Sequence, residues 1–370
     1  MPTSADYLAP PCARITVPDC LDRTPDGDKS FRKNQHLHDV LKTRKNDIST
    51  IANWPTLKRL TNEYELVCGA DAGGVSRMTP ISRSYFKMWE MLQEYLPSDV
   101  VHQPEPLMCA FLAEGPGGFI ESVATMRSGI CQTDRLHCIT LVQRGAPGWN
   151  QLHSRRWLRA NSDRCLMHMG QDGTGDLYNM SNIDHFVASV GSGTCHLVTA
   201  DGGFDVSNNY DMQEQMSFQL QLCETYAAMS LQRPGGMFVL KVFDICDTRT
   251  ISLLWMITRL YETVKIVKPL TSRPANSEKY IVCTGYRPNS ELLIEMREHV
   301  VNGDMPAVFP DKFIDQVYQY NLRYIFRQIK HIEKTTRLSH YNVVPRFPRP
   351  HQVRLAIEWC HRHHILTKIR

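Results

Sequence analysis

The chain has 370 residues, 42% of them hydrophobic and 22% charged, with a formal net charge of +4. This composition is ordinary for a soluble globular protein, and it argues against a disordered, fibrous or membrane-embedded chain. No apolar run is long enough to span a membrane, and the N-terminus lacks a signal-peptide core. We therefore expect an intracellular protein with no membrane partner.

The cysteines predict neither disulfides nor a metal site. All 12 are scattered along the chain without a C-x-x-C pair. Several lie inside apolar stretches of strand length, namely Cys109, Cys138, Cys195 and Cys283. This distribution favours buried free thiols in a reducing compartment. We expect no metal cofactor, because no His/Cys cluster has the spacing of metal ligands.

The first part of the chain predicts an irregular start followed by helices. Residues 1–34 show no clear periodicity, and we expect a loosely ordered arm there. Apolar residues recur at near-helical spacing over 36–60, which predicts two short helices that cap the main domain. A longer helix is predicted over 82–96, with Ser82 as its N-cap and Lys87 off its apolar stripe. On this local pattern alone, Lys87 is a solvated helix lysine.

Strands and helices alternate from residue 107 onwards. Alternation of this kind predicts an α/β fold with a mostly parallel sheet that helices cover on both faces. Only about eight residues, 271–278, join the last two strands, which is too short for a parallel crossover, so the last strand should be antiparallel. The seven predicted strands are 107–113, 136–143, 165–169, 195–200, 237–242, 264–270 and 279–286. The predicted helices are 119–126, 149–159, 211–232, 250–261, 290–300, 313–332 and one from 352.

A glycine-rich turn joins the first of these strands to the first of these helices. It contains Gly115, Pro116, Gly117 and Gly118. Glycines at such a turn let the backbone approach a ligand, and the N-terminus of the next helix offers free N–H groups. The spacing is not the dinucleotide pattern G-x-G-x-x-G and contains no GK[ST], which disfavours a nicotinamide dehydrogenase or a P-loop protein. The turn predicts a small-molecule site at the carboxyl end of the first strand.

Polar residues stand at the ends of other strands or inside them. Asp201 ends an apolar strand, and Glu278 begins the last strand. Lys241 lies within the apolar strand MFVLKVF, where an ammonium without partners would cost several kcal/mol, so Lys241 should be functional or firmly ion-paired. Asp176 follows the third strand, where it either forms a turn or contacts a ribose.

Five motifs, in this order and spacing, resemble the RNA ribose 2′-O-methyltransferases of the FtsJ type, and most closely the branch that acts on messenger RNA caps. The motifs are EGPGGF, QDGTGD, TADGGFD, GGMFVLKVFD and TSRPANSEKYIVC, within residues 80–287. The resemblance implies a Rossmann-like methyltransferase fold that uses S-adenosylmethionine. It also implies a catalytic tetrad of Lys87, Asp201, Lys241 and Glu278, with Lys241 as the general base.

The same resemblance implies which residues contact the ligands. The expected cofactor residues are Gly115, Pro116, Gly117, Gly118, Phe119, Asp176 and Asp201. The expected RNA residues are Ser82, Arg83, Gln213 and Glu278. We expect capped RNA as the substrate, with other capping or transcription proteins as further partners.

Two positions depart from the pattern of the cap branch. Ser82 stands where that branch usually has Asn, and Glu114 stands where it often has a small residue or cysteine. They leave open whether the first or the second nucleotide after the cap is methylated, and we favour the first. An FtsJ-type enzyme for ribosomal or transfer RNA is one alternative. A catalytically silent RNA-binding scaffold is another, although the intact tetrad argues against it.

The chain is predicted to have three regions. They are an N-terminal arm and helical cap over 1–79, the methyltransferase domain over 80–290, and a basic helical extension over 291–370. Residues 321–370 hold eleven Lys or Arg against two Glu, together with six His. Such a surface is either solvated or meets phosphates. We expect an enzyme of this kind in the nucleus of a cell, or in the cytoplasm or virion of a virus.

Overall fold

A mixed sheet with helices on both faces forms the centre of the protein. The computed structural model describes residues 12–15, 27–48, 50–51, 53–68, 73–142, 148–149, 151–203, 212–340 and 349–368. The strands are β1 (Cys12–Ile15), β2 (Met108–Leu112), β3 (Arg135–Ile139), β4 (Cys165–His168), β5 (Cys195–Ala200), β6 (Gln232–Val242), β7 (Tyr261–Val267) and β8 (Lys279–Tyr286). Their order across the sheet is β1-β7-β8-β6-β5-β2-β3-β4.

The strand directions confirm the predicted α/β sheet. Strands β2 to β6 pair in parallel with one another, whereas β8 is antiparallel to both β6 and β7. All seven predicted strands are present, and the last one is reversed as predicted. The sheet has an eighth strand, β1, which pairs antiparallel with β7 and forms one edge of the sheet. The prediction of a loosely ordered arm over 1–34 was therefore wrong at 12–15, because four residues are too few to show a periodicity of two, and at 27–34, where the structure has a helix. The rest of that range lies outside the described residues.

Twelve helices flank this sheet in the part of the chain that the structure describes. They are α1 (Gly27–Ile48), α2 (Trp54–Thr61), α3 (Ser84–Glu94), α4 (Ser98–Val101), α5 (Gly118–Arg127), α6 (Leu152–Ala160), α7 (Met180–Val190), α8 (Gln213–Leu231), α9 (Thr248–Leu260), α10 (Ser290–Asn302), α11 (Asp311–Ser339) and α12 (Pro350–Arg362). None of these helices has the length and apolar character needed to cross a membrane.

Several helix boundaries differ from the predictions. The first of the two predicted N-terminal helices is much longer, because α1 covers 22 residues. Helix α3 begins at Ser84 with Arg83 at its N-cap, and no side chain caps it, so Ser82 is not the N-cap. Helix α7 was not predicted, although Asn179 caps it by accepting a hydrogen bond from the amide of Ser181 at 3.1 Å.

Apolar side chains from alternate positions of the strands fill a core on each face of the sheet. On one face α8 and α9 cover strand residues such as Val198 and Leu240. On the other face α3 and α5 cover residues such as Phe111 and Val239. Burial on both faces is typical of parallel strands, and it explains their near-continuous apolar sequences. The ten cysteines from Cys68 to Cys360 are all buried, as predicted.

The chain beyond residue 290 packs closely on the rest of the protein. Helix α11 lies along α1. Helix α12 packs on α3, where Trp359 is 2% exposed and its ring contacts Phe86 edge to face at 5.9 Å. The indole Nε1 of Trp359 also donates to Glu90 Oε2 at 3.1 Å. The last fifth of the chain therefore supports α3, while the exact division into regions at 79 and 290 stays a prediction.

Candidate active site

The sheet brings the four predicted tetrad residues together. Asp201 directly follows β5, and Lys241 is the penultimate residue of β6. Because β5 and β6 are parallel and Ala200 pairs with Leu240, Asp201 and Lys241 emerge side by side at the carboxyl edge of the sheet. Glu278 directly precedes β8, which runs back along β6, and Lys87 reaches the same place from the first turn of α3.

Lys241 and Asp201 form the first of two ion pairs. The Lys241 Nζ atom lies 3.2 Å from Asp201 Oδ1. It also donates a hydrogen bond to the Asp201 carbonyl oxygen at 2.5 Å. Tyr280, which pairs with Lys241 across the β6–β8 ladder, donates from its hydroxyl to Asp201 Oδ1 at 3.0 Å. Asp201 is thus fixed by two donors, and Lys241 is held against it.

Lys87 and Glu278 form the second ion pair, with 2.6 Å between Lys87 Nζ and Glu278 Oε1. Ser272 donates from its hydroxyl to the same carboxylate oxygen at 3.0 Å. The buried Lys268 donates to the Glu278 carbonyl oxygen at 2.7 Å, which holds the end of the β7–β8 loop. The side chains of both pairs are only 12–17% exposed, so they face solvent through a narrow opening.

The mutual charges of the tetrad decide its protonation state. Burial lowers the pKa of Lys241, but the negative charges of Asp201 and Glu278 outweigh burial, so this pKa is raised above the ordinary lysine value. Burial likewise pushes the pKa of Glu278 up, but Lys87, Lys241 and Lys268 lower it to about 2. In the free protein at neutral pH, Lys241 is therefore an ammonium and Glu278 is a carboxylate.

Two further carboxyl groups lie buried behind the tetrad. Glu114 accepts a hydrogen bond from the Thr199 hydroxyl, and burial raises the pKa of Glu114 well above its usual range. Glu224 accepts from the Gly202 amide at 3.2 Å, and burial raises the pKa of Glu224 to about 8. Burial disfavours the charged form of both groups, which limits the negative charge that they add beside Lys241. Glu114, a departure from the cap branch in sequence, is thus a buried core residue that ties β2 to β5.

The glycine turn lies next to the tetrad, but its glycines are required mainly by protein contacts. Gly117 has a φ of 114°, and a side chain there would overlap the ring of Trp149. A side chain at Gly118 would overlap the hydroxyls of Ser82 and Ser84. The turn therefore requires glycines because Trp149 and the start of α3 contact it closely, and not only because a ligand would approach it.

The same turn has room and donors for an anionic ligand. Gly117 caps α5 without a side chain that could accept from the first amides of the helix, which leaves a helix N-terminus of the kind that binds carboxylates. Gly115 and Pro116 are partly exposed. The buried Nε1 of Trp149 finds no acceptor among the residues that the structure describes. These features fit the methionine carboxylate of S-adenosylmethionine.

Phe119 occupies a core position rather than the surface of the turn. Its side chain is fully buried, and its ring lies 5.6 Å from that of Tyr280. Any contact between Phe119 and a ligand must therefore come from its backbone. Its packing places the start of α5 directly against the residue that holds Asp201.

The loop after β4 brings Asp176 to the same edge of the sheet. Asp172 organises this loop, since its carboxylate accepts from the Thr174 amide at 2.9 Å and from the Asn182 side chain at 2.9 Å. A side chain at Gly175 would overlap the carbonyl oxygen of Thr140, and the Thr140 hydroxyl accepts from the Gly115 amide at 3.2 Å. The loop thus reaches the glycine turn through Thr140. Sequence reasoning missed Asp172, whose only signal was its place in the turn-rich segment QDGTGD.

The predicted RNA residues lie in three different settings. Ser82 shares a 2.5 Å hydrogen bond with the Ser84 hydroxyl beside Gly118. Arg83 points instead to Glu65, whose carbonyl oxygen accepts from the Arg83 side chain at 3.1 Å. Gln213 begins α8, and the hydrogen bonds of the described residues do not join its side chain to the tetrad. Only Glu278, among these four, belongs to the tetrad itself.

No group of three His, Cys, Asp or Glu side chains in the described ranges is arranged to hold a metal ion.

The positions of Lys268 and Tyr280 were also missed by sequence reasoning. Tyr280 could have been found, because it follows Glu278 by two residues in a strand and so projects from the same face. Lys268 carries no such signal.

Comparisons with known proteins agree with this geometry. The model of the FtsJ-like methyltransferase family matches residues 80–286. Cap-specific mRNA (nucleoside-2′-O-)-methyltransferase 1 of Danio rerio is 36% identical over 190 residues, which are 49% of this chain and 22% of that protein. The protein of the same name from Trypanosoma cruzi is 31% identical over 246 residues, which are 64% of this chain and 65% of that protein.

A longer alignment joins this chain to cap-specific mRNA (nucleoside-2′-O-)-methyltransferase 2 of Danio rerio, which is 27% identical over 364 residues, 90% of this chain and 47% of that protein. The chain thus spans from 22% to 65% of the length of these three relatives. The family match covers more than half of the chain and includes all four tetrad residues. The chain belongs to the FtsJ-like methyltransferase family.

Proposed function

We propose that this chain transfers a methyl group from S-adenosylmethionine to the ribose 2′-hydroxyl of a cap-proximal nucleotide of messenger RNA. One observation carries the proposal, namely the two adjacent lysine–carboxylate pairs at the carboxyl edge of an FtsJ-like sheet. The nitrogen–oxygen distances within these pairs are 3.2 Å and 2.6 Å. Membership of a methyltransferase family supports the cofactor. The names of the relatives support the capped substrate.

The cofactor is assigned to the ligand site beside the tetrad. The turn formed by Gly115, Pro116, Gly117, Gly118 and Phe119 is assigned to its carboxylate, through the free N–H groups at the start of α5. Asp176 would contact its nucleoside, and Asp201 would face the same space. When bound, the cofactor supplies a methyl group on a sulfonium that is already activated for in-line displacement.

Lys241 is assigned to the proton of the ribose hydroxyl. The 2′-oxygen would form its bond to the methyl carbon as the carbon–sulfur bond breaks and leaves a neutral thioether, and the hydroxyl proton would pass to the neutral amine of Lys241. Because Asp201 and Glu278 favour the ammonium, only a small fraction of the free protein carries that amine at neutral pH. Lys241 must therefore release a proton to solvent before each transfer, and the reaction should be faster at alkaline pH.

Lys87 and Glu278 are assigned to the alignment of the ribose. Their pair lies across the opening from Lys241 and is held by Ser272 and Lys268. The ammonium of Lys87 lies among the charges that face Glu278, so it competes with Lys241 for that carboxylate. Rigid positioning of this kind contributes to rate because a hydroxyl must meet the methyl group in line.

The nucleotide that is methylated is the finer part of the proposal. We favour the first nucleotide after the cap, and we note that the relatives from Danio rerio and Trypanosoma cruzi at 31–36% identity are named methyltransferase 1. The second nucleotide is the competing assignment, since the alignment with a methyltransferase 2 covers 90% of the chain. Both assignments use the same tetrad.

The test is transfer of a labelled methyl group to matched capped and uncapped transcripts, followed by nuclease mapping of the modified nucleotide. We expect label in the capped transcript, in the ribose of the first nucleotide. Label in the second nucleotide would change the assignment of the position only. Equal labelling of uncapped, ribosomal or transfer RNA would contradict the cap-specific function. Cofactor and RNA binding without any transfer would indicate a silent scaffold.

A further inference from the structure

Five cations of α11 form one stripe along the exposed side of the helix. They recur at intervals of three or four residues, so they project from the same side over about four turns. All five are exposed, and they are Arg323, Arg327, Lys330, Lys334 and Arg337. The ring of Phe326, which is 51% exposed, lies among them. We call these six residues the basic stripe. From Arg323 to Arg337 an α-helix rises about 21 Å.

The positive charge of the basic stripe is not balanced within α11. Its five cationic side chains form no ion pair or hydrogen bond in the part of the chain that the structure describes. Over residues 316–339 the helix contains a single acid, Glu333, which pairs instead with Arg44 of α1 at 3.5 Å. The neighbouring extension helix α10 exposes acids of its own, namely Glu291, Glu295 and Glu298. The basic stripe is thus a local concentration of positive charge, which favours an anionic partner.

The buried side of α11 contacts the loop that carries Glu278. The Gln328 side chain donates to the Ser277 hydroxyl at 3.1 Å. The ring of Tyr324 lies 5.9 Å from Nζ of Lys279. Ser277 and Lys279 flank Glu278 in the sequence. The basic stripe lies on the other side of the same helical turns, so one helix diameter, about 10 Å, separates it from the tetrad loop.

We propose that the basic stripe binds the RNA strand that continues on the 3′ side of the methylated ribose. This inference rests on the proposed function, because a cap-proximal target leaves only the 3′ side of the strand long enough to reach α11. The cations bind phosphate oxygens, and the ring of Phe326 stacks on a base. At about 3.4 Å per stacked nucleotide, the strand meets the stripe about three nucleotides beyond the target and leaves it after about nine.

Contacts of this kind add affinity for long transcripts without reading their sequence. Phosphate contacts and base stacking carry no direct sequence information, so the stripe binds RNA of any sequence. Helix α11 lies outside the family match at residues 80–286, and the stripe includes none of the RNA residues that the resemblance implies. A stripe that is only solvated would instead leave the affinity for RNA independent of the length of the strand beyond the third nucleotide.

The experiment compares two triple variants that remove the same charge from different helices. The stripe variant is Arg323→Gln, Arg327→Gln and Lys330→Gln. The control variant, on α6, is Arg155→Gln, Arg156→Gln and Arg159→Gln. The three arginines of α6 are also exposed, and their side chains likewise form no ion pair among the described residues. Helix α6 leads into β4, whereas α11 contacts β1 at the opposite edge of the sheet. Glutamine preserves helix propensity, so both variants should fold.

Fluorescence anisotropy measures binding of capped oligoribonucleotides of 3 and 20 nucleotides, with a common 5′ sequence and a 3′ label, over a range of salt concentrations. We expect the stripe variant to bind the longer RNA about tenfold more weakly than the wild-type protein. Its salt slope should fall by about 2, because each of three lost phosphate contacts contributes about 0.7. The shorter RNA should bind both proteins equally, and the control variant should bind both RNAs like the wild type.

A single variant separates stacking from charge. Phe326→Leu keeps an apolar side chain on α11 but removes the ring. It should bind the longer RNA about fivefold more weakly, with an unchanged salt slope, because stacking releases no counterions. An unchanged affinity of Phe326→Leu for this RNA would overturn the stacking contact.

Equal binding of the longer RNA by the stripe variant and the wild type would overturn the proposal. An equal loss in the control variant would overturn it too, because net charge alone would then explain the effect. Unchanged RNA binding with lost binding to phosphatidylserine vesicles would assign the stripe to a membrane surface instead. A protein that methylates no RNA, but whose stripe variant loses binding as described, would overturn the proposed function and leave the stripe standing. Methylation of capped RNA together with unchanged binding by the stripe variant would overturn the stripe alone.

Discussion

The two ion pairs of the candidate site are built in different ways. Lys241 and Asp201 belong to neighbouring strands at the centre of the sheet, and the β6–β8 ladder also positions Tyr280 against Asp201. Lys87 and Glu278 come instead from a helix and a loop at the periphery of the sheet. The first pair is fixed by the hydrogen bonds of the sheet itself. The second pair depends on side chains that are distant in sequence.

Helix α3 shows how far that dependence reaches. Trp89 Nε1 donates to the His363 carbonyl oxygen at 2.9 Å, and Glu90 accepts from the Leu270 amide at 2.8 Å and from Trp359. Burial raises the pKa of Glu90 to about 8, so this link is made mostly by a neutral carboxyl group. Helix α12 and the end of β7 therefore hold the helix that carries Lys87. These contacts position Lys87, and through Lys87 they would contribute to the alignment of the ribose.

The largest expected effect is a loss of methyl-transfer rate that differs between variants of Lys241 and Lys87. Lys241→Ala removes the proton acceptor and should lower the rate of methyl transfer by about 10²- to 10⁴-fold. Lys87→Ala removes alignment and should lower it by less, about 10²-fold at most. Both variants should bind S-adenosylmethionine like the wild type in calorimetry. Single-turnover rates on a capped RNA measure both losses. A greater loss for Lys87→Ala than for Lys241→Ala would contradict the assignment of Lys241 to the proton and of Lys87 to alignment.

A smaller effect tests the support of α3 from a distance. Trp359→Ala should cost about 3–5 kcal/mol of unfolding free energy. It should also lower kcat several-fold, because α3 loses its packing partner. Trp255→Ala is the matched control, since Trp255 is a buried indole on α9 that packs against Phe313 at 5.1 Å, in the core of the opposite face. It should destabilise the protein similarly but leave kcat unchanged at a temperature where both variants are folded.

Equal kcat values for the two tryptophan variants would show that α12 contributes only stability.

The same logic applies to deletion of the chain after residue 344. If the basic segment 321–370 did no more than meet phosphates, this deletion would affect RNA binding alone. The structure shows that it would also remove Trp359 and His363 from α3.

The same contrast explains how much of the site could be predicted from sequence. The strands that carry Asp201 and Lys241 are short apolar runs, and a lysine inside such a run is conspicuous. Lys87 gives no local signal, because a lysine off the apolar stripe of a helix looks like any solvated residue. Only the resemblance to a family identified it. Glu65 could not be predicted as the shared partner of Arg83 and Arg273, because Arg273 lies 208 positions away.

The glycine turn shows a further limit of sequence reasoning. The turn was found from its composition, but the reason for its glycines was incomplete. Trp149 and Ser84 press on Gly117 and Gly118, and no local pattern could place these residues against the turn. A branched side chain at Gly117 would therefore strain the turn itself as well as any ligand contact. Contacts between distant segments, rather than local propensity, account for most of what the sequence did not reveal.

The pH dependence of kcat/KM tests the central assignment most directly. This parameter reports the protonation of the free enzyme, in which Asp201 and Glu278 outweigh burial and raise the pKa of Lys241. We therefore predict that log kcat/KM on a capped RNA rises by about one unit per pH unit from pH 6 to 9.5, without a plateau. Lys241→Arg should show no such rise and very little activity, because a guanidinium stays protonated throughout this range. A plateau near neutral pH in the wild type, or substantial turnover by Lys241→Arg, would contradict the assignment of Lys241 as the proton acceptor.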